Sequence, residues 1–171
     1  MNWEDFLTYA PDGNLFWKHR GREHFGSNRQ FKTWNTRYSG KRAGFINPAG
    51  YIVVAVNRVA SIASRIVWIM HYGSIPKGMF IDHINGIRND NRIQNLRLAN
   101  AFENARNSKP KGRFKKGVLL VKRRLGNDRF ASVITANRKK VYLGLFDTEE
   151  EAHAAYCKAS PLYHGEFGRT S

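Results

Sequence analysis

The run Ile81-Asp82-His83-Ile84-Asn85-Gly86 constrains the fold of this chain more than any other segment. Apolar residues before it predict a short strand, and Asn85-Gly86 is a strong turn signal. Further along, the pattern predicts a polar loop at 89–91, a second strand at 96–98 and a short helix at 100–107. The expected order is strand, loop, strand, helix, with Asp82 and His83 where the first strand meets the loop.

This segment places a carboxylate beside an imidazole and brings in the carboxamide of Asn104 later. Hydrolysis of a phosphodiester needs a metal to offset charge on the phosphate and a base to take a proton from water. With a reference pKa of about 6.5, His83 can be neutral at cellular pH and accept that proton. Taken alone, Asp82-His83 is better explained by an Asx-type turn with an exposed histidine. Only the asparagines that follow favour a catalytic role.

Those asparagines stand at Asn91, in Asn95-Leu96-Arg97 and in Glu103-Asn104. With them, residues 43–107 resemble the HNH nuclease family and its ββα-metal motif, specifically the phage and intron-encoded homing endonucleases. The resemblance implies that His83 is the general base and that Asp82 and Asn104 hold one divalent cation on the scissile phosphate. It implies a structural role in the catalytic site for Asn95, whose amide ties the loop so that His83 faces the phosphate.

The ligand set that the resemblance implies is made of oxygen atoms, which favours Mg²⁺, or Mn²⁺, over zinc. Arg97 and Arg106 lie close enough in sequence to contact phosphates. For both, plain surface charge is an equal explanation.

The charge of the chain indicates a polyanionic partner. Lys and Arg total 29 against 13 acids, a formal net charge of +16. Double-stranded DNA is the leading candidate; charge alone does not separate it from RNA, and no segment has the ~20 apolar residues of a membrane-spanning helix. No obligatory protein partner is evident. Because the N-terminus lacks a signal pattern and Cys157 is the only cysteine, we expect an intracellular, nucleoid-associated protein without disulfides.

We expect an α+β chain of two domains. A basic segment at 108–116, punctuated by Pro110 and Gly112, predicts a linker between residues 1–107 and 117–171. Before the nuclease-like segment, turn signals predict a small antiparallel sheet, and residues 62–72 predict a helix that packs in the core. The interval 18–42 mixes basic and aromatic residues. It suits nucleic-acid contacts or a long solvated loop over buried aromatics equally well.

The C-terminal part predicts three antiparallel strands, at 117–124, 129–135 and 139–146, and one helix. The helix begins with a capping pattern at Asp147-Thr148-Glu149-Glu150 and ends before Ser160-Pro161. Residues 113–168, and 142–152 above all, resemble the APETALA2-type DNA-binding domain, in which the sheet enters the major groove and the helix braces it.

Strand alternation then predicts one DNA-facing set and one core set. The first contains Arg123, Val133, Thr135, Lys140 and Tyr142; the second contains Phe130 and Leu143. Leu119 and Val121 stand near positions where that family offers arginines, so its base preference does not carry over. Surface charge explains Arg123 and Lys140 equally well, and sheet packing explains Tyr142 equally well.

These patterns together predict a site-directed, metal-dependent DNA endonuclease of homing type. It would nick or cut the duplex with the nuclease segment, while the flanking parts position the DNA. The alternative is a non-catalytic DNA-binding protein with a decayed nuclease core, although Asp82, His83 and Asn104 are all present.

Overall fold

The computed structural model describes residues 1–108, 110 and 112–170. The chain divides into two compact units, Met1–Ala99 and Asn100–Ser171. This division falls before the short helix of the nuclease segment, whereas the sequence pattern predicts a boundary at 108–116. Lys109 and Lys111 of that predicted linker lie outside the described residues.

The first unit is built from short antiparallel strands and two α-helices. The strands are β1 (Leu7–Tyr9), β2 (Leu15–Trp17), β3 (Phe45–Ile46), β4 (Ile52–Val56), β5 (Val59–Ile62), β6 (Phe80–His83) and β7 (Leu96–Ala99), and the helices are α1 (Asn28–Tyr38) and α2 (Ala63–Tyr72). The pairs β1–β2 and β6–β7 form two-stranded sheets, and β3–β4–β5 form a sheet of three strands.

The core of the first unit forms where α2 packs against the central strand β4. Alternate residues of β4, namely Ile52, Val54 and Val56, are buried, as the two-residue period of a strand requires. Ile66 and Val67 of α2 are fully buried in the same cluster. The predicted core helix at 62–72 is thus present, and it supports the sheets that carry the nuclease segment.

The interval 18–42 contains a helix that the sequence pattern did not predict. Helix α1 begins after Ser27, whose side chain accepts a hydrogen bond from Gln30 N. Phe25 and Trp34 pack with Phe6 around the buried guanidinium of Arg20, which lies 5.0–5.3 Å from the three ring centroids. In place of the long solvated loop that was one of the two alternatives, the structure has a helix and aromatic rings packed around a buried cation. The other alternative, nucleic-acid contacts, stays a prediction.

The second unit is a three-stranded sheet with one long helix and one short helix. Its elements are α3 (Ala101–Arg106), β8 (Val118–Val121), β9 (Arg129–Ala136), β10 (Lys139–Phe146) and α4 (Glu149–His164), and the strand order is β10–β9–β8, all antiparallel. Ile134 packs against Tyr156 and Ala159 of α4, with Val141 and Leu143 beside them. The prediction of a mixed α and β chain with antiparallel sheets is confirmed.

Helix α4 is longer than predicted. It passes through Pro161 and ends at His164, rather than stopping before Ser160. The last turn is held because His164 is buried and its Nε2 lies 2.8 Å from the carbonyl oxygen of Thr135 on β9. A tertiary contact therefore outweighs the missing N–H of the proline.

Arg123 is not on the sheet face where strand alternation placed it. It follows the end of β8, and its backbone N–H donates to Asp128 Oδ1 at 3.1 Å. The first strand is shorter than predicted, because this turn contact starts the connection to β9. Among the described residues, no helix is long and apolar enough to cross a membrane.

Candidate active site

His83 is a buried residue at the end of β6. Its side chain is held by Asn91, whose Oδ1 lies 3.1 Å from Nε2 of the imidazole, and only 5% of the histidine surface is exposed. An amide oxygen only accepts hydrogen bonds, so Nε2 carries the proton and donates it. In the neutral ring, Nδ1 therefore presents the basic lone pair.

The surroundings of His83 favour its neutral form. Burial is the main cause and lowers the pKa below its usual value. The hydrogen bond to Asn91 and the carboxylates of Asp82 and Asp90 oppose this effect and raise the pKa, whereas Arg88 lowers it. The resulting histidine is neutral near pH 7 and lies beside groups that stabilise its protonated form, as a general base requires.

Asp82 precedes His83 and forms a buried ion pair across the β6–β7 sheet. Asp82 and Arg97 are register partners, and Arg97 Nε donates to Asp82 Oδ2 at 2.9 Å. The two side chains are 6% and 11% exposed. Arg97, predicted as a phosphate contact, is therefore largely buried as the counter-ion of Asp82.

Asn95 ties together the loop that joins β6 to β7. Its Oδ1 accepts the backbone N–H of Asn85 at 3.0 Å, while its Nδ2 donates to Asn85 Oδ1 at 3.0 Å and to the Asp90 carbonyl at 2.8 Å. The asparagine is buried, so these bonds satisfy its polar atoms inside the protein. They fix the turn that follows His83.

The same loop keeps a negative charge close to His83. Arg92 donates to both carboxylate oxygens of Asp90, at 2.8 Å and 2.7 Å. This pairing, opposed by burial and helped by Asn85, lowers the pKa of Asp90 to about 2. Asp90 is therefore ionised throughout the physiological range.

A hairpin far away in the sequence braces this loop. Tyr9 on β1 accepts the backbone N–H of Ile93 on its hydroxyl at 3.0 Å. Gly13, in the β1–β2 turn, has φ +88°, and a Cβ there would stand 2.5 Å from Arg92 N and 2.7 Å from the carbonyl carbon of Asn91. Only glycine permits this approach, which presses the hairpin against the residue that holds His83.

Comparison with known proteins identifies the domain that contains these residues. A family model described as HNH endonuclease matches residues 61–106. Protein 3.8 of Escherichia phage T7 is 36% identical over 106 residues, which cover 60% of this chain and 84% of that protein. This chain belongs to the family of Protein 3.8 and carries an HNH endonuclease domain. No solved structure matches it.

The last predicted ligand of the HNH domain, Asn104, lies on α3 in the second unit. Asn104 is exposed, and its backbone N–H donates to Asn100 O at 3.0 Å. The helix starts with a capping box in which Asn100 and Glu103 each accept a backbone N–H of the other. The predicted pairing of Asn104 with Asp82 stays a prediction.

The metal predicted for the HNH domain has a fitting donor set. Among residues 1–108, 110 and 112–170 there is no group of three or more His, Cys, Asp or Glu that could hold an ion. A single buried carboxylate and a carboxamide are hard oxygen donors, which suit a cation that keeps most of its ligands as water and substrate phosphate. The donor chemistry of these two side chains therefore fits a hard divalent cation.

The four predicted DNA-facing residues on β9 and β10 lie on one face of the C-terminal sheet. Thr135 pairs with Lys140 and Val133 with Tyr142 across β9 and β10. Thr135, Lys140 and Tyr142 are exposed, and Tyr142 is 61% exposed. Leu143 is packed on the core as predicted, while Phe130 is half-buried against Phe114.

The second unit also contains a cavity of about 770 Å³ beside this sheet. Its lining includes Thr135 and four groups that are or can become cationic: Arg106, Lys116, Arg138 and His164. Arg106, predicted as a phosphate contact, is half-buried there. Burial lowers the pKa of Lys116 to about 8, with a smaller contribution from Arg169.

Two features of the site were missed by sequence reasoning. Asn91 was noted as part of the motif but was given no role, although it is the residue that orients His83. The bracing by Tyr9 and Gly13 was not foreseen; only the turn signal Pro11-Asp12-Gly13-Asn14 was visible, and a turn signal does not say what the turn touches.

Proposed function

We propose that this protein is a metal-dependent DNA endonuclease that hydrolyses phosphodiester bonds with His83 as the general base. The observation that carries the proposal is the buried His83, held through Nε2 by Asn91 and placed beside the carboxylate of Asp82. The carboxylates of Asp82 and Asp90, which stabilise the protonated ring, favour a catalytic role for His83 over a decayed core. The match of residues 61–106 to an HNH endonuclease supports the same reaction class.

In this mechanism Nδ1 of His83 takes a proton from water, and the resulting hydroxide attacks the phosphorus as the bond to the 3′ oxygen breaks. The departing 3′ oxygen then takes a proton from solvent. The hydrogen bond from Nε2 to Asn91 keeps the ring from turning during the transfer. Asp82 and Asp90 stabilise the imidazolium that forms. Asn95 contributes by fixing the loop and not by touching the substrate.

Asp82 and Asn104 are proposed to hold one divalent cation, Mg²⁺ or Mn²⁺. The support is the chemistry of the two donors and their order within the HNH match. When bound, such an ion offsets charge on the scissile phosphate and on the departing 3′ oxygen. The ion pair with Arg97 holds the Asp82 side chain in a fixed orientation for this role.

Binding of duplex DNA is proposed to use both units. The net charge of +16 supports a polyanionic substrate. In the second unit, the exposed face with Thr135, Lys140 and Tyr142, together with Arg106, would position the duplex in the manner of an APETALA2-type sheet. A homing-type target preference would then come from this sheet, and the chemistry from the HNH domain.

The test compares wild type with His83→Ala on long duplex DNA in the presence of Mg²⁺ or Mn²⁺, with a chelator control. His24→Ala is the matched control, because His24 is exposed and its ion-pair partner is the neighbouring Glu23. We expect cleavage by wild type and His24→Ala and a loss of roughly 10²–10⁴-fold in His83→Ala. Equal rates for all three would overturn the assignment of the base. DNA binding by wild type without cleavage would instead favour the non-catalytic alternative.

A further inference from the structure

The tip of the β4–β5 hairpin has an unusual sequence for its backbone conformation. The two turn residues, Asn57 and Arg58, have φ values of +50° and +67°. A two-residue hairpin turn with both φ values positive favours Asn-Gly, since glycine adopts this region without a steric penalty. Arg58 is therefore in a position where an L side chain is strained.

The asparagine of this turn has a clear structural reason. Its Oδ1 accepts a hydrogen bond at 2.8 Å from Nη2 of Arg20, the buried arginine that lies among the rings of Phe6, Phe25 and Trp34. The hairpin tip is thereby fastened to the aromatic cluster of the first unit. Its position is fixed before any partner binds.

No contact among the described residues explains the arginine of the turn. Arg58 is exposed, and within the described part of the chain its side chain has no hydrogen bond, ion pair or aromatic partner. The β9–β10 hairpin offers a comparison, because it carries the same Asn137-Arg138 turn with φ values of +49° and +63°. There the guanidinium lies 5.2 Å from the ring centroid of Phe102, so Arg138 gains a contact inside its own unit.

We infer that Arg58 is a DNA contact, with its guanidinium on the phosphodiester backbone of the bound duplex. A strained residue without an intramolecular contact indicates a function outside the fold. In a chain of net charge +16, the partner of an exposed guanidinium at a fixed hairpin tip is a phosphate, which the planar fork of arginine binds through two hydrogen bonds. The inference rests on the proposed function only in taking DNA as the substrate.

The hairpin geometry suits this role. A two-stranded ribbon can approach a groove of the duplex with its tip foremost, and contacts to phosphates fix the register of a protein without reading the sequence. Arg58 would thus hold the first unit in place on the DNA while leaving target choice to other residues.

The discriminating variant is Arg58→Gly, because it should raise the stability of the protein while it weakens DNA binding. Glycine adopts the positive φ of this position without strain, so the melting temperature should rise by about 2–4 °C. Loss of one phosphate contact should weaken binding of duplex DNA roughly 3–10-fold and reduce the slope of log affinity against log salt by about 1. Arg58→Lys should keep the slope, and Arg65→Ala, which removes an exposed arginine of α2, should change neither quantity.

Binding is measured with the full chain on duplex DNA in a chelator, so that cleavage does not enter the result. Unchanged affinity and slope in Arg58→Gly would overturn the inference. So would a lower melting temperature in that variant, since it would mean that the arginine serves the turn. If wild type binds DNA and the Arg58→Gly effect appears, but no metal supports cleavage, the endonuclease proposal fails and this inference stands.

Discussion

Each of the two units buries a histidine at the end of an element, and the two histidines are held differently. His83 ends β6 and His164 ends α4; they are 5% and 7% exposed. Nε2 of His83 meets the side chain of Asn91 at 3.1 Å, whereas Nε2 of His164 meets the backbone carbonyl of Thr135 at 2.8 Å. Burial is the main cause that lowers the pKa of both.

The charges around the two rings separate their roles. Asp82 and Asp90 raise the pKa of His83 against its burial, while Arg106 and Lys116 lower that of His164 further. Acidic neighbours stabilise the imidazolium that a base must become, and cationic neighbours oppose it. The acidic groups around His83 thus suit it to proton transfer. The cationic groups around His164 do not, and its contact with β9 holds α4 on the sheet.

Among the residues that surround His83, the largest effect should come from removing the carboxylate beside it. Asp82→Ala leaves the charge of Arg97 buried without its partner carboxylate, so the free energy of unfolding should fall by about 3–5 kcal/mol. Asp82→Asn keeps the shape and an acceptor for Arg97, and cleavage should still fall by ~100-fold or more. Rates on duplex DNA and chemical unfolding check both. Asp5→Ala, which removes an exposed carboxylate, is the control, and cleavage at the wild-type rate by Asp82→Asn would contradict the account.

The next effect concerns the residue that orients His83. Asn91→Ala should lower the cleavage rate about 10-fold, since a side-chain hydrogen bond contributes on the order of 1 kcal/mol. The pH–rate profile adds a second readout. A base works when deprotonated, so activity is lost as the pH falls through the pKa of His83, which lies below its usual value. The bond to Asn91 raises that pKa; without it the acid limb should move to lower pH. If Asn91→Ala cleaves more slowly but the acid limb of its pH–rate profile does not move, Asn91 does not act on His83.

A smaller effect should follow from the hairpin that braces the loop. Gly13→Ala introduces a Cβ at a positive φ and within 2.5 Å of Arg92 N, so we expect a loss of about 1–3 kcal/mol in stability and a few-fold slower cleavage. Gly40→Ala is the matched control, because Gly40 also has a positive φ, +73°, but open space around it. If both variants cleave equally, the hairpin does not support the active site.

The smallest effect is a pH dependence of stability from His164. Its folded pKa is lowered, so the stability it contributes is complete above its unfolded pKa of about 6.5 and declines as the pH falls toward the folded value. His83 contributes in the same direction. His164→Asn should therefore flatten, but not abolish, the fall in urea midpoint between about pH 7.5 and pH 5. An unchanged slope would show that His164 does not titrate on unfolding.

Local patterns predicted the elements that depend on neighbouring residues. The Asn85-Gly86 turn, the pairing of strands on either side of it and the capping of α4 follow from side chains a few positions apart. Hydrogen bonds over such distances leave a pattern in the sequence. The three strands of the C-terminal sheet were predictable for the same reason.

The contacts that decide chemistry at the site were not predictable in this way. Tyr9 meets Ile93 across 84 positions of sequence, and Arg20 is buried by rings from three separate segments. Arg97 was expected at the surface as a cation, yet the strand register makes it the cross-strand partner of Asp82. Such pairings depend on tertiary packing, which a pattern of residue types does not specify.

The most direct test of the account removes each of the two buried histidines in turn. Cleavage of duplex DNA and the free energy of unfolding are measured for wild type, His83→Ala and His164→Ala in the full chain. We predict that His83→Ala loses roughly 10²–10⁴-fold in cleavage while it still binds DNA, and that His164→Ala loses about 1–3 kcal/mol in stability while it cleaves at the wild-type rate below its melting temperature. Cleavage by His83→Ala at the wild-type rate would contradict the central claim that this histidine is the base.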